Sequence, residues 1–149
     1  MSNGFVLAAA IVTAFAASPA LAVEVGSCEE RNVALNQVIS MRTYANGSVK
    51  LFEIDQVEPA ASPSGIAVAI DRGQDLADAE SFCRYVFGLS SVDLAHATAN
   101  FDQSRGVLSI KLPVKSHVPD TDQVIGGTLT LEINKGAKAA AGLVAAQLR

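Results

Sequence analysis

Short stretches in which hydrophobic and polar residues alternate recur along the chain. The clearest are residues 107–112 (VLSIKL), 49–54 (VKLFEI) and 128–133 (TLTLEI). Alternation with a period of two is typical of a β-strand that buries one face and exposes the other. Two more stretches, 66–70 (IAVAI) and 82–89 (FCRYVFGL), are rich in apolar, β-branched or aromatic residues, and they predict buried strands.

Turn-forming residues separate these stretches. Asn46-Gly47 lies between 33–44, which alternates in part, and 49–54, and this pair is a strong hairpin signal. Residues 59–65 (PAASPSG) predict a loop, and residues 103–106 (QSRG) predict a turn. Because proline cannot donate to a β-ladder, we expect the strand at 107–112 to end at Pro113.

Two segments also fit helical patterns. In residues 76–87 the apolar positions Leu76, Ala79, Cys83 and Val86 share a helical face, so a helix ending before Gly88 competes with the strand at 82–89. Residues 137–148 (AKAAAGLVAAQL) are Ala-rich and predict a short C-terminal helix with a thin apolar stripe.

These elements predict a mainly β domain. We expect an antiparallel, immunoglobulin-like sandwich of about six or seven strands with a short C-terminal helix. A mixed α+β domain is the alternative.

The N-terminus carries a targeting signal. Residues 1–22 contain no Asp, Glu, Lys or Arg, and an apolar run leads to Ser18-Pro19 and then to Ala20-Leu21-Ala22. This order is typical of a secretory signal peptide cleaved after Ala22, although residues before the run include no Lys or Arg. An uncleaved membrane anchor is the alternative. Residues 23–149 would then be a single exported β-rich domain, periplasmic or secreted, with no stable membrane anchor.

The sequence VGSC at 25–28 also resembles the end of a bacterial lipoprotein signal, in which the cysteine is lipidated. Glu24 argues against lipidation, because its carboxylate would have to enter the bilayer at a cost of a few kcal/mol. The chain has two cysteines, Cys28 and Cys83, so an oxidising compartment favours one disulfide over two free thiols. Closing a loop of about 55 residues would stabilise the fold by roughly 4 kcal/mol.

Composition narrows the function classes. The net charge is −4 and no basic run is present, which argues against nucleic-acid binding. The two histidines, His96 and His117, are 21 residues apart and lack neighbours at metal-ligand spacing, and we expect His96 to be half-buried. The acids of residues 71–80 do not follow the spacing of a calcium loop. We find no catalytic constellation in the sequence, and we expect no cofactor and no metal.

Residues 82–115 resemble the second half of the α-crystallin domain of small heat-shock proteins. The matching positions are Phe82, Arg84, Phe87, Leu89, Val92, Asp93, Ala99, Gly106, Val107, Leu108, Ile110, Leu112 and Pro113. The spacing from Ala99 to Gly106 is two residues longer than in that family, and Ser90 stands where a proline is usual. The resemblance implies an immunoglobulin-like sandwich and a holdase-like chaperone. It also implies that Leu131 and Ile133 belong to a tail that docks on a neighbouring subunit.

The sequence therefore predicts a small, exported, non-enzymatic interaction domain of the bacterial cell envelope. Its partner would be another protein or a second copy of the chain. A holdase-like chaperone and a hydrolase with an unrecognised site are the alternatives.

Overall fold

A computed structural model describes residues 23–56, 63–72, 81–118 and 121–149. The described part contains ten β-strands and three short 3₁₀ turns, Leu35–Gln37, Ala45–Gly47 and Ala140–Gly142. The strands are β1 (Glu24–Ser27), β2 (Val38–Tyr44), β3 (Val49–Asp55), β4 (Ser64–Asp71), β5 (Ser81–Leu89), β6 (Ser91–Val92), β7 (Thr98–Asp102), β8 (Val107–His117), β9 (Val124–Asn134) and β10 (Val144–Leu148).

The strands form two antiparallel sheets. Sheet A has the order β1-β5-β4-β3-β2, and sheet B has the order β10-β9-β8-β6, with β7 also paired to β8. The predicted β-sandwich is confirmed. Its sheets are built mostly from consecutive hairpins, whereas the immunoglobulin fold connects its strands in Greek-key order.

The core lies between the two sheets. Sheet A contributes residues such as Leu51, Val68 and Val86, and sheet B contributes residues such as Ile110 and Leu129. Burying each such side chain stabilises the fold by about 1.5–3 kcal/mol, so the alternating strands are held with their apolar faces inward.

A second, smaller apolar cluster covers the outer face of sheet A. Ile54, Ala67 and Tyr85 are buried there, beneath partly buried residues that include Cys28 and Val33. We call residues 28–37 the strap, since this segment crosses that face instead of continuing strand β2 as the partial alternation of residues 33–44 suggested. The predicted disulfide between Cys28 and Cys83 is present, with 5.4 Å between the two Cα atoms, and it attaches the strap to β5.

The predicted hairpin at Asn46-Gly47 is confirmed. Strand β2 pairs with β3 from Tyr44↔Val49 onward, and Ala45, Asn46 and Gly47 all adopt positive φ. Glycine and asparagine tolerate this left-handed conformation at little steric cost, which explains why this dipeptide marks the turn.

The predicted C-terminal helix is wrong. After the turn Ala140–Gly142, residues Val144–Leu148 form strand β10, which pairs with Leu129–Ile133 of β9. Pairing satisfies the backbone groups along this edge of β9, and it places Val144 and Leu148 in the core. The sheet partner therefore overrides the helix propensity of the alanines.

Strand β8 does not end at Pro113, as the sequence predicted, but continues to His117. Pro113 falls between the residues that pair with β7 (107–111) and those that pair with β6 (114–115). On the edge of β8 that faces β6 and β7, the Pro113 carbonyl accepts a hydrogen bond from the Asp93 N–H at 3.0 Å. Because the nitrogen and carbonyl of one residue lie on the same edge of an antiparallel strand, the missing N–H falls in this gap and leaves the pairing with β9 intact.

The ambiguous stretch at 82–89 is a strand, which confirms the strand prediction over the competing helix for those residues. The rest of that helix, most of the acidic segment and most of the predicted loop at 59–65 lie outside the described residues, as do residues 1–22. Strand β4 begins at Ser64, two residues earlier than the loop prediction allowed. Among the described residues, we find no helix with the length and hydropathy of a membrane span.

Candidate interaction surface between strands β2 and β7

Two edge strands meet on one side of the sandwich. In the described part of the chain, β2 is the last strand of sheet A, and β7 pairs with β8 alone. We call this side, formed by β2, β7 and the connecting residues 93–97, the β2–β7 seam. An edge strand presents unpaired N–H and C=O groups, so it is a place where another chain can add.

Strand β2 is inverted relative to its sequence pattern. Its apolar residues Ile39 and Met41 point to solvent and are 59% and 56% exposed. Its polar residues Ser40 and Arg42 are paired with Glu53 and Leu51, and Leu51 faces the core between the sheets. The pairing register shifts between Val38 and Ser40, which places the extra residue, Ile39, at the start of the regular part of the strand.

Arg42 holds the inward face of β2 in place. Its Nη1 donates hydrogen bonds to the carbonyl oxygens of Leu94, Ala95 and Ala97, at 2.8, 3.0 and 3.0 Å. Hydrogen bonds from a cation to carbonyl oxygens are stronger than those from a neutral donor. The arginine therefore joins the edge of sheet A to residues 93–97, which connect β6 and β7 of sheet B.

An aspartate–histidine pair orders the same connection. His96 Nδ1 lies 2.7 Å from Asp93 Oδ2, and the His96 backbone N–H donates to Asp93 Oδ1 at 3.1 Å. The bond from the His96 side chain lowers the pKa of the Asp93 carboxyl from its ordinary value. The His96 side chain is 77% exposed, so the prediction that it is half-buried is wrong: the short turn from Asp93 directs it away from the core.

A groove of about 400 Å³ opens between β2 and residues 92–95. Glu53 and Asp93 supply carboxylates to its wall, and Val92, Leu94 and Met41 supply apolar surface. The Ser40 hydroxyl donates to Glu53 Oε2 at 2.6 Å. The polar groups of this groove are thus bonded to one another or to the backbone.

A second, more apolar groove lies farther along the seam. It encloses about 470 Å³ beside Tyr44, Phe101, Leu108 and Lys135. Phe101, on β7, is 56% exposed. Burial raises the pKa of Tyr44, and the nearby Arg42 opposes this shift in part. The Tyr44 hydroxyl is buried without a hydrogen-bond partner among the described residues.

Comparisons with known proteins do not identify a family for the chain. No protein-family model, curated protein or solved structure matches it. The resemblance to the α-crystallin domain stays a prediction, and the seam has to be interpreted from its own geometry.

The structure places the predicted docking residues in the core. Leu131 and Ile133 are fully buried on β9, which lies between β8 and β10. The prediction of a free docking tail is wrong in this structure, because the alternation of residues 128–133 packs these side chains between the sheets.

The two histidines are not brought together into one cluster. His117 ends strand β8, where it pairs with Val124, and His96 lies in the connection before β7. Among the described residues, no group of three or more His, Cys, Asp or Glu side chains is arranged to hold a metal ion.

Sequence reasoning missed the seam because alternation does not say which face is inward. Residues 38–44 (VISMRTY) alternate, and the usual interpretation buries the apolar set. The pairing register of β2 shifts by one residue at Ile39, directly after the turn Leu35–Gln37, and the alternation by itself does not mark this shift. A one-residue slip exchanges the two faces of a strand.

Proposed function

We propose that this chain is a small, exported, non-enzymatic interaction domain of the bacterial cell envelope, which binds a protein along the β2–β7 seam. The observation that carries the proposal is the inverted strand β2. It exposes Ile39 and Met41 beside a sheet edge that pairs with no further described strand, while Arg42 turns inward and bonds to the Leu94 carbonyl. Exposed apolar groups at a strand edge are a liability unless a partner covers them.

The seam contains three of the five large apolar side chains that are exposed in the described part of the chain: Ile39, Met41 and Phe101. Ile39 and Met41 lie on β2 and Phe101 lies on β7, so both strands of the seam expose apolar surface that a partner could cover. Strand addition would give affinity through main-chain hydrogen bonds, and the flanking side chains would give specificity.

The hydrogen bonds of the seam support a binding role over a catalytic one. Arg42 is bonded to backbone carbonyls, Asp93 to His96, and Glu53 to Ser40. These contacts fix the shape of the edge. A rigid edge presents its apolar side chains to a partner at a lower entropic cost than a mobile one.

Export is supported by the disulfide between Cys28 and Cys83. Such bonds persist in oxidising compartments such as the periplasm and the extracellular space. The apolar, uncharged N-terminal segment with its small residues at positions 20 and 22 supports the same location.

A photo-crosslinking residue introduced at Met41 or Phe101 tests the proposal in cells of the native host. We expect both positions to give covalent adducts with protein, and we expect no adduct from the same residue at Gln147, which is exposed on β10, the strand at the opposite edge of sheet B. Adducts of equal yield at all three positions, or at none, would contradict binding along the seam.

A further inference from the structure

We propose that the partner of strand β2 is a second copy of the chain, joined by antiparallel pairing of the two β2 strands about a two-fold axis at Met41. This inference rests on the proposed use of the seam for protein binding, and it names the occupant of one of its edges. Most homo-oligomers of soluble proteins are two-fold dimers, in which the same patch of each subunit meets itself.

The two-fold axis limits the possible registers. In antiparallel pairing of identical strands, the residue at the axis faces its own copy. An axis at Arg42 would place two guanidinium groups opposite each other, which like-charge repulsion disfavours. An axis at Met41 pairs β2 over its whole length, because Met41 is the middle residue of Val38–Tyr44.

The Met41 register extends an apolar row across the dimer. Met41 is paired with Phe52 of β3, and both lie on the outer face of sheet A. With Met41 facing its copy, the side chains of Phe52, Met41, Met41 and Phe52 follow one another over four adjacent strands. Direct cross-strand neighbours of this kind are close enough to pack. Ile39 faces Thr43 of the other copy, next to its Met41.

Charges are complementary on the opposite face. In this register Arg42 of one copy lies beside Ser40 of the other, and Ser40 is paired with Glu53. Arg42 of one copy is therefore followed by Ser40 and then Glu53 of the other copy over three adjacent strands. The two-fold axis generates the same row a second time. The side-chain hydrogen bonds of Arg42 to described residues all come from Nη1, and its guanidinium carbon lies 5.9 Å from the centroid of the Tyr44 ring. Nε and Nη2 form none of these bonds, so they can donate to the carboxylate.

The inward arginine and the register shift at Ile39 then have a common effect. Both features are devices that prevent indiscriminate pairing of sheet edges. In β2 they favour pairing in the Met41 register and disfavour other registers. Pairing in this register uses the β2 edge of both copies, so association stops at the dimer.

The test is the mass in solution of the mature, disulfide-bonded chain. We expect light scattering to give twice the mass of the chain and a concentration-dependent dissociation. We expect Met41→Lys, which places two ammonium groups at the axis, to weaken association roughly a hundredfold or more. Val124→Lys is the control, since Val124 is an exposed apolar residue on β9, and it should leave the dimer intact.

A second variant fixes the register without a change of charge. Met41→Cys should form an intermolecular disulfide under mild oxidation, because directly opposed residues have Cα atoms at a separation that a disulfide can bridge. Val124→Cys should not. This readout holds even where Met41→Lys lowers stability.

The outcomes separate the two proposals. A monomer at all concentrations, or a dimer that Met41→Lys and Val124→Lys affect equally, would overturn self-pairing through β2. A monomer whose Met41 position crosslinks to a different protein would overturn the inference and leave the proposed interaction function standing.

Discussion

At the scale of single residues, Arg42 explains why the alternation of β2 runs opposite to expectation. A charged side chain can turn to the inner face of a strand when hydrogen bonds compensate its loss of water. Arg42 bonds to three carbonyl oxygens on that side. Those carbonyls come from residues more than fifty positions farther along the chain, so no local pattern announces them. The faces of β3 and β8, by contrast, followed directly from their alternation.

The contribution of Arg42 to stability is the first prediction. We expect Arg42→Ala to lower the free energy of unfolding by about 1–3 kcal/mol, since it removes the charged donor that bonds to the partly buried carbonyls of Leu94 and Ala97. Arg105→Ala is the matched control: Arg105 meets Glu132 at 3.3 Å in an exposed ion pair, and such pairs contribute about 0–1 kcal/mol. Urea unfolding of both variants measures the difference, and equal losses would show that Arg42 does not hold the seam.

Gly65 supports the cluster beneath the strap through its lack of a side chain. A methyl group at this position would overlap the hydroxyl and ring of Tyr85, which is fully buried. We expect Gly65→Ala to lower the free energy of unfolding by about 1–3 kcal/mol, as overpacking does in other cores. Gly126→Ala, where no atom lies within 4 Å, should change it by no more than about 0.5 kcal/mol. Thermal unfolding of the two variants would refute this if their midpoints coincided.

Tyr85 makes the stability depend on alkaline pH. Burial raises its pKa to about 12 from an ordinary 10, against a smaller opposing effect of Arg31. Its contribution to the free energy of unfolding is complete below pH 10. It is lost between pH 10 and 12, because in that range the unfolded state releases the proton and the folded state keeps it. We expect Tyr85→Phe to flatten this decline, as followed by unfolding at a series of pH values. A decline of the same steepness in the variant would assign it to other groups.

At the scale of elements, the sequence identified strands reliably where apolar and polar residues alternate. It failed where pairing with a neighbouring strand determines the structure of a segment. The alanine-rich C-terminus has the composition of a helix, yet β9 offers an unpaired edge and the core offers space for Leu143 and Val144. A proline is typical of a strand end, yet Pro113 lies within β8, at the gap between the residues that pair with β6 and those that pair with β7.

The C-terminal segment, Leu143 and strand β10, gives a further stability test. Leu143 is fully buried, and we expect Leu143→Ala to lower the free energy of unfolding by about 2–5 kcal/mol, the usual range for a leucine removed from a packed core. Gln147→Ala, on the exposed face of β10, should change it by less than about 0.5 kcal/mol. Similar small losses in both variants would indicate a C-terminus that packs lightly, as the predicted helix would.

At the scale of the whole molecule, the disulfide joins the strap to the sandwich, and these two parts differ in the size of the core that supports them. The sandwich has its own core between the sheets, whereas the strap covers a cluster of three fully buried residues on the outer face of sheet A. The sequence predicted which cysteines pair, because it contains two of them. It did not predict which face of sheet A the strap covers, because Ile54 and Tyr85 are equally compatible with either side of the sheet.

Removal of the disulfide should therefore act unevenly. We expect the double variant Cys28→Ser, Cys83→Ser to lower the free energy of unfolding by roughly 2–5 kcal/mol while strands β8 and β9 keep their hydrogen bonds. The strap is the part that should loosen first, because the Val33 N–H bond to the Cys28 carbonyl and the Arg31 contact with Phe87 depend on its attachment to β5. Amide hydrogen exchange distinguishes the two units, with a larger loss of protection expected at Val33 than at Ile110 and Leu131. An equal loss of protection at all three amides would mean that strap and sandwich unfold as one unit, and that the disulfide stabilises the entire fold rather than its covered outer face.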